Sequence, residues 1–192
     1  MSNGLSEKQN TVAHKRATSA YEFVATLLMS LLILVILFTF FLRVVRVEGP
    51  SMETTLGDGD RLLLYSCSAE YQRGDIVVVD RYTVAPLIKR VIAVGGDTLK
   101  ISDSGMVYLN GALLNEPYVM GATMPRDCLD AVTIPEGYVF VMGDNRVESH
   151  DSRAADIGIV SVKDIVGKAV YRILPLSDFG NIYTNLEYSS DR

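Results

Sequence analysis

The hydrophobic positions of this chain begin with one long uninterrupted run. From Phe23 to Leu42 every residue is uncharged, and most are Leu, Ile, Val or Phe. A helix of about 20 residues at a rise of 1.5 Å is about 30 Å long, which is the thickness of a bilayer core. The hydrophobic segment of a cleavable signal peptide is shorter and ends at small residues, whereas this run ends in Phe-Phe-Leu-Arg. The run therefore predicts a transmembrane helix over residues 23–42.

After Arg43 the hydrophobic positions form short runs that are separated by Gly-Asp, Gly-Gly and Asn-Gly turn signals. Frequent turns, without a long segment of 3.6-residue period, favour a mostly antiparallel β domain. The looser stretch 103–130 contains Asn-Gly, Glu-Pro and Met-Pro pairs, and it is predicted to be an insertion between core strands. The predicted strands are Val44–Val47, Arg61–Tyr65, Asp75–Asp80, Ile88–Val94, Met106–Leu109, Tyr138–Met142 and Ile165–Ile173.

These patterns predict a mostly β protein with a single N-terminal transmembrane helix and a small inserted β/loop subdomain. Residues 1–22 are polar and are predicted to be a mobile tail. The β domain is expected over residues 44–192, with a core of 44–102 and 131–175. Basic residues lie on both sides of the span, so their count only leans towards an N-terminus on the inner side of the membrane.

Composition narrows the function classes. The net charge is -5 and no basic stripe interleaved with aromatic residues is present, so a nucleic-acid partner is not expected. The two cysteines, Cys67 and Cys128, lack CxxC spacing, which gives neither a metal site nor a redox motif. Whether these two cysteines form a disulfide stays open, because sequence does not give the distance between them.

Ser51 is a candidate nucleophile. It follows Gly49 and Pro50, which bend and stiffen the backbone and can hold a hydroxyl clear of its neighbours. Such a serine needs a base. His14 lies on the other side of the apolar run, so the candidate bases are His150 and Lys89. By itself, the Gly-Pro-Ser segment is equally typical of an ordinary turn.

Lys89 is the better candidate base. Strand alternation places Leu87, Lys89, Val91 and Ala93 on one face. A lysine on an apolar face either extends to the edge of the sheet or lies in a dry site, and a dry site lowers its pKa.

A further segment, Gly143–Arg153, places six charged or titratable residues and two serines directly after a hydrophobic strand. Its composition also suits a solvated loop.

Four segments, in this order and behind an apolar span, resemble those of the bacterial type I signal peptidases, which are Ser-Lys serine proteases. The similarity covers the span and most of residues 44–175, and it is closest to the small, single-span members. The segments are Gly49-Pro50-Ser51-Met52, Arg73-Gly74-Asp75-Ile76-Val77, Ile88-Lys89-Arg90 with Val94-Gly95-Gly96-Asp97, and Gly143-Asp144-Asn145-Arg146 with Ser149-x-Asp151-Ser152-Arg153.

The resemblance implies a membrane-bound serine endopeptidase that removes signal peptides from secreted preproteins through an acyl-enzyme. Ser51 would be the nucleophile and Lys89 the general base. Ser149 would hydrogen-bond the Lys89 amine and orient it. His150 lies between matched positions and receives no role. Two ion pairs, Asp144 with Arg90 and Asp151 with Arg153, would hold the Gly143–Arg153 segment against the dyad.

The resemblance also implies how substrate is bound. Gly49 stands where another branch of the family has a serine in the oxyanion hole, so the hole would rely on the Ser51 backbone N–H. Substrates would be preproteins with Ala-x-Ala-like cleavage sites, bound as an extended strand with small side chains in shallow pockets. The implied pocket lining is Val47, Met52, Leu56, Val78, Leu87 and Ile88.

No metal or organic cofactor is implied. The expected protein is a monomer that spans the plasma membrane bilayer once, with a cytoplasmic N-terminus and an extracytoplasmic catalytic domain. Two other functions stay open. Self-cleaving Ser-Lys repressors share the β fold, but they carry a DNA-binding helical domain where this chain has its apolar run. A non-enzymatic β module on a membrane tether would need no lysine on an apolar strand face.

Overall fold

The computed structural model describes residues 3–66, 70–80, 85–128 and 130–183. The chain divides into two units, Met1–Phe41 and Leu42–Arg192. The first unit contains a single helix, α1 (Asn3–Phe41). Within it, Ser19–Ile36 is long and apolar enough to cross a membrane, with a mean hydropathy of 2.1.

Helix α1 begins well before the predicted span. Residues from Asn3 onward, which were predicted to be part of a mobile tail, are helical and continue into the apolar run. This segment contains no proline and many residues with good helix propensity, so a helix that forms in the apolar run can extend through it. The helix ends one residue earlier than predicted, because Leu42 pairs with Tyr65 in a strand.

The second unit confirms the predicted mostly antiparallel β fold. One sheet has the strand order β1-β2-β11-β3-β4-β9-β10, with β12 also paired to β11, and a smaller sheet has the order β7-β6-β5-β8. Two short 3-10 helices, Val162–Asp164 and Leu176–Asp178, precede and follow β11. The strands are β1 (Leu42–Arg46), β2 (Arg61–Tyr65), β3 (Ile76–Val79), β4 (Leu87–Val94), β5 (Thr98–Ile101), β6 (Val107–Leu109), β7 (Ala112–Leu113), β8 (Val132–Thr133), β9 (Tyr138–Met142), β10 (Val160–Ser161), β11 (Ile165–Leu174) and β12 (Gly180–Asn181).

The inserted subdomain is larger than predicted. The small sheet includes β5 and β8, which lie outside the predicted insertion of 103–130. These strands have four and two residues, and short strands carry little hydrophobic periodicity of their own. The hairpin between β6 and β7 was visible in the sequence, because Asn110 and Gly111 both adopt positive φ, as a tight Asn-Gly hairpin turn requires.

The strands that carry the site lie in the middle of the large sheet. All four residues of β3 and the six central residues of β4 are buried, which explains their nearly continuous apolar sequence. Lys89 and Arg90 are the exceptions in β4, and both are buried. The predicted shared face is broken between Val91 and Ala93 by a register shift against β9, so these two residues pack in different core clusters.

Candidate active site

The segment between β1 and β2 presents Ser51 on a compact turn. Gly49 has a φ of +81°, a conformation that disfavours other residues, and its N–H donates to Asp58 Oδ1 at 2.9 Å. Met52 and Leu56 are fully buried, and the Leu56 N–H donates to the Met52 carbonyl at 2.8 Å. These buried side chains anchor the turn, which leaves Ser51 half-buried at its outer side.

The turn places Ser51 against Lys89 of β4. Lys89 Nζ lies 2.7 Å from Ser51 Oγ, and it also donates to the Ile88 carbonyl at 3.0 Å. The lysine is only 3% exposed. A nucleophile and a base are therefore within hydrogen-bonding distance, in a site that excludes most water.

Burial lowers the pKa of Lys89 to about 8. Removal of water disfavours the ammonium form, and this is the largest effect. Asp151 and Asp144 act in the opposite direction, because a nearby negative charge favours the ammonium form. Their effect is smaller than that of burial, because each is paired with an arginine, and Arg153 itself lowers the pKa.

The loop after β9, residues Gly143–Arg153, surrounds the pair and is called the signature loop below. Its Ser149 hydroxyl donates to Asp151 Oδ2 at 2.6 Å rather than contacting the Lys89 amine, so the predicted Ser149–Lys89 hydrogen bond is wrong. A carboxylate is a strong acceptor for a hydroxyl, whereas the Lys89 amine is the donor in both of its bonds, to Ser51 and to Ile88. Ser149 therefore orients Asp151 directly.

The two predicted ion pairs are present, and both are buried. Arg90 donates to both carboxylate oxygens of Asp144, from Nε at 2.8 Å and from Nη2 at 2.6 Å. Arg153 likewise donates to Asp151, from Nε at 2.8 Å and from Nη2 at 2.9 Å. Burial alone would raise the pKa of Asp151, but Arg153, Ser149 and the Gly143 N–H together hold it below its usual value.

A third buried pair was not predicted. Arg146 binds Glu116, and it also donates to Thr123 Oγ1 at 2.6 Å and to the Gly143 carbonyl at 3.2 Å. Glu116 and Thr123 belong to the inserted subdomain, so this arginine fastens the insertion to the signature loop. The sequence showed only that this loop contains an arginine. No spacing or motif identified Glu116 as its partner.

Two backbone features of the signature loop were also missed. The Asn145 N–H donates to the Ser51 carbonyl at 3.1 Å and so fixes the nucleophile from the loop side. A Cβ at Gly143 would lie 2.4 Å from the Ser51 carbonyl oxygen and 2.3 Å from Ser149 Oγ. Glycine at 143 is therefore required, because the loop closely approaches the turn that carries the candidate nucleophile Ser51. This turn, residues 49–56, is called the nucleophile turn below.

A cleft of about 480 Å³ opens beside Ser51 and Lys89. One wall is formed by β1 and the segment that follows it, and the other by the beginning of β4. His150 lies at its rim, and its ring contacts Asp156 at 2.8 Å, away from the dyad. The walls near Ser51 are mainly apolar. The cleft is lined by Val44, Val45, Arg46, Val47, Glu48, Gly49, Pro50, Ser51, Ala85, Pro86, Leu87, Ile88, Lys89, Glu148 and His150.

Half of the predicted substrate-binding residues line this cleft, namely Val47, Leu87 and Ile88. The other half, Met52, Leu56 and Val78, are not among the lining residues. They are buried and pack with Val47 and Ile88 in one core cluster, so their contact with substrate stays a prediction. The possible partner of Cys128, Cys67, lies outside the described residues.

Known proteins of similar sequence belong to one family. A family model described as "Signal peptidase, peptidase S26" matches residues 20–174. The chain is 32% identical over 187 residues to signal peptidase I of Bacillus licheniformis, which covers 91% of this chain and 97% of that protein. It is 38% identical over 169 residues to a probable signal peptidase I-1 of Synechocystis sp., covering 81% of this chain and 84% of that protein. A crystal structure of a signal peptidase I from Enterococcus faecalis V583 has 29% identity, covers 52% of this chain and 96% of that chain, and gives a TM-score of 0.43.

Proposed function

The chain belongs to the signal peptidase family, peptidase S26, and we propose that Ser51 and Lys89 are the catalytic dyad with which it cleaves signal peptides. The observation that supports this assignment is the 2.7 Å contact between Ser51 Oγ and a buried Lys89 Nζ of lowered pKa. At a pKa of about 8, roughly one lysine in ten is neutral at pH 7, whereas an ordinary lysine is neutral about once in 3,000 molecules. Burial therefore makes the base available.

In the proposed mechanism, the neutral Lys89 amine removes the proton from Ser51 Oγ as the oxygen attacks the carbonyl carbon of the scissile bond. The tetrahedral oxyanion is stabilised by the Ser51 N–H, which has no acceptor in the described part of the chain. The Lys89 ammonium then returns its proton to the leaving amine, and an acyl-enzyme remains. Water, deprotonated by the same amine, attacks the ester and releases Ser51.

The cleft fits an extended peptide. Among the described residues, strand β1 is paired only to β2, so its other edge offers backbone groups that a substrate strand can bind. The narrow apolar walls of Val47, Leu87 and Ile88 favour small side chains next to the scissile bond. We therefore propose substrates that are secreted preproteins with Ala-x-Ala-like cleavage sites, cleaved by a monomeric enzyme.

We also propose that α1 anchors the enzyme in the plasma membrane, with the N-terminus in the cytoplasm and residues 44–192 outside it. The anchor is the apolar segment Ser19–Ile36, together with the remainder of the apolar run up to Phe41. This arrangement would keep the enzyme on the membrane that preproteins cross. Protease protection of each end in sealed vesicles would test this orientation.

The test of the dyad uses full-length enzyme in detergent with a preprotein substrate. Ser51→Ala, Lys89→Ala and Lys89→Arg should each abolish cleavage while the protein remains folded, because arginine stays protonated and cannot act as a base. Lys100→Ala, which removes an exposed lysine from β5, is the matched control and should cleave normally. Normal turnover by a folded Ser51→Ala or Lys89→Arg variant would disprove the assignment, and cleavage only of the enzyme itself would favour a self-cleaving function.

A further inference from the structure

Thr55 lies at the junction of the nucleophile turn with a buried ion pair. Its hydroxyl donates to Asp144 Oδ2 at 2.5 Å and accepts from Arg90 Nη2 at 3.1 Å. The single hydroxyl therefore forms a hydrogen bond with each member of the Arg90–Asp144 pair. A hydroxyl can be donor and acceptor at once, which suits it to a position between a carboxylate and a guanidinium.

Each ion-pair partner adjoins, in the chain, either a dyad residue or residues that approach Ser51. Arg90 follows Lys89 in β4, and Asp144 lies between Gly143 and Asn145, both of which contact Ser51 or its close neighbours. Thr55 itself belongs to the turn of Ser51, because its N–H donates to the Met52 carbonyl at 2.9 Å. The Thr55 hydroxyl therefore links the nucleophile turn both to β4, which carries Lys89, and to the signature loop.

We propose that Thr55 is a positioning residue for peptide cleavage, whose hydroxyl holds the turn of Ser51 at the correct distance from Lys89. This inference rests on the proposed Ser51–Lys89 dyad. Without the hydroxyl, the turn would keep its hydrophobic anchors and the backbone bond from Asn145 to Ser51, but it would lose its side-chain link to the Arg90–Asp144 pair. The Ser51–Lys89 contact would then be held by fewer polar contacts, so the turn could shift slightly relative to β4.

The position of Thr55 predicts an effect on kcat rather than on KM. Thr55 is not among the residues that line the cleft beside Ser51, and its hydroxyl is bonded to Asp144. Its carbonyl accepts from Arg172 Nη2 at 2.6 Å, beside a separate cavity. Loss of the hydroxyl should therefore leave substrate binding unchanged while it displaces the nucleophile.

The experiment compares Thr55→Val, which keeps the shape of the side chain but removes the hydroxyl, with Thr55→Ser, which keeps the hydroxyl. Thr54→Val is the matched control, because the Thr54 hydroxyl contacts the Tyr118 carbonyl at 3.3 Å and neither member of the ion pair. kcat and KM are measured on a signal-peptide substrate with full-length enzyme, well below the melting temperature of each variant. Ser51→Ala is included to test the dyad independently.

Thr55→Val should lower kcat by about ten- to a hundredfold and change KM by less than about threefold, because small displacements of reacting groups have effects of this size. Thr55→Ser and Thr54→Val should stay within about threefold of the wild type. The proposal is wrong if Thr55→Val keeps its kcat, if KM accounts for the loss, or if Thr55→Ser is as impaired as Thr55→Val. Should Thr55→Val not fold, Thr55→Ala against Thr55→Ser makes the same comparison. An active Ser51→Ala variant would instead refute the underlying dyad.

Discussion

At the scale of the residue, the mechanism proposed for this site depends on the protonation of Lys89. Burial lowers its pKa from 10.5 to about 8, against the opposing charges of Asp144 and Asp151. A difference of this size changes the free energy of forming the neutral amine by about 3 kcal/mol. At pH 7, that amount corresponds to a more than hundredfold increase in the population of the neutral amine. Desolvation is therefore the main source of the lysine's basic role.

The pH dependence of kcat/KM should show this ionisation. Because the neutral amine is the active form, the rate should rise as pH increases through about 8 and reach a plateau above it. The measurement is a pH profile on a signal-peptide substrate, with His150→Ala as the control, and the control should give the same profile. A rate that still rises beyond pH 10, or a midpoint near pH 6.5 that disappears in His150→Ala, would mean that Lys89 is not the base.

Gly143 is the residue at which added volume should matter most. A methyl group there would overlap the Ser51 carbonyl and the Ser149 hydroxyl, and the carbonyl belongs to a backbone that cannot rotate away. We expect Gly143→Ala to lower kcat/KM by at least about tenfold, since displacement of the nucleophile is strongly felt. Gly57→Ala is the control, because its nearest neighbour would be Asp60 Oδ1 at 3.9 Å. Equal activities of the two variants would contradict the close contact.

At the scale of the element, the signature loop is held by buried charges rather than by hydrogen bonds of regular structure. Asp151 accepts from the Gly143 N–H at 3.0 Å, from Ser149 and from Arg153. Arg153 in turn donates to the Arg146 carbonyl at 2.8 Å. A loop built in this way tolerates the loss of a neutral donor better than the loss of a charge, because an unpaired buried charge is strongly unfavourable.

Ser149→Ala and Asp151→Ala should therefore differ in stability. Ser149→Ala removes one neutral donor, and its cost in unfolding free energy is expected to be about 1 kcal/mol, with a marked loss of activity because Asp151 is no longer oriented. Asp151→Ala leaves Arg153 buried without its carboxylate, at an expected cost of about 3–5 kcal/mol. Denaturant melts and cleavage rates of both variants provide the measurement. A more stable Asp151→Ala variant would show that the pair is not what holds the loop.

At the scale of the whole molecule, the burial of Lys89 lowers the free energy of unfolding. The same burial lowers the pKa that lets the lysine act as a base. In the unfolded chain Lys89 has its ordinary pKa of 10.5, whereas in the folded chain the pKa is about 8. Between these values the unfolded state binds more protons than the folded state, so the contribution of Lys89 to stability improves as pH rises. Below pH 8 the penalty is fully present, at about 3 kcal/mol.

Replacement of the lysine by an apolar side chain should remove this penalty. Lys89→Met is expected to be inactive and to be more stable than the wild type at pH 7 by up to about 3 kcal/mol. The difference should shrink as pH rises from 8 to 10.5, because the wild type then also buries a neutral group. Chemical denaturation at several pH values measures it, with Lys100→Met as an exposed control. A stability difference that does not change with pH would contradict the buried ammonium.

The local pattern of the sequence determined the elements. The apolar run gave the candidate span, and strands β2 and β9 have the predicted bounds, because each is a run of hydrophobic residues between strong turn signals. The four matched segments also indicated the site residues, including Ser51 with Lys89 and Arg90 with Asp144. These features follow from residue type and order. No long-range geometry is needed to see them.

Only the tertiary structure decided the partners within the site. The hydroxyl of Thr55 meets Asp144 across 89 residues of sequence, and Arg146 meets Glu116 across 30. The Ser149 hydroxyl donates to Asp151 at 2.6 Å, and the Lys89 amine donates instead to Ser51 and Ile88. Contacts of this kind depend on how separate segments pack together, which a linear pattern of hydrophobic and polar residues does not encode. Periodicity specifies an element, whereas packing specifies which side chains meet.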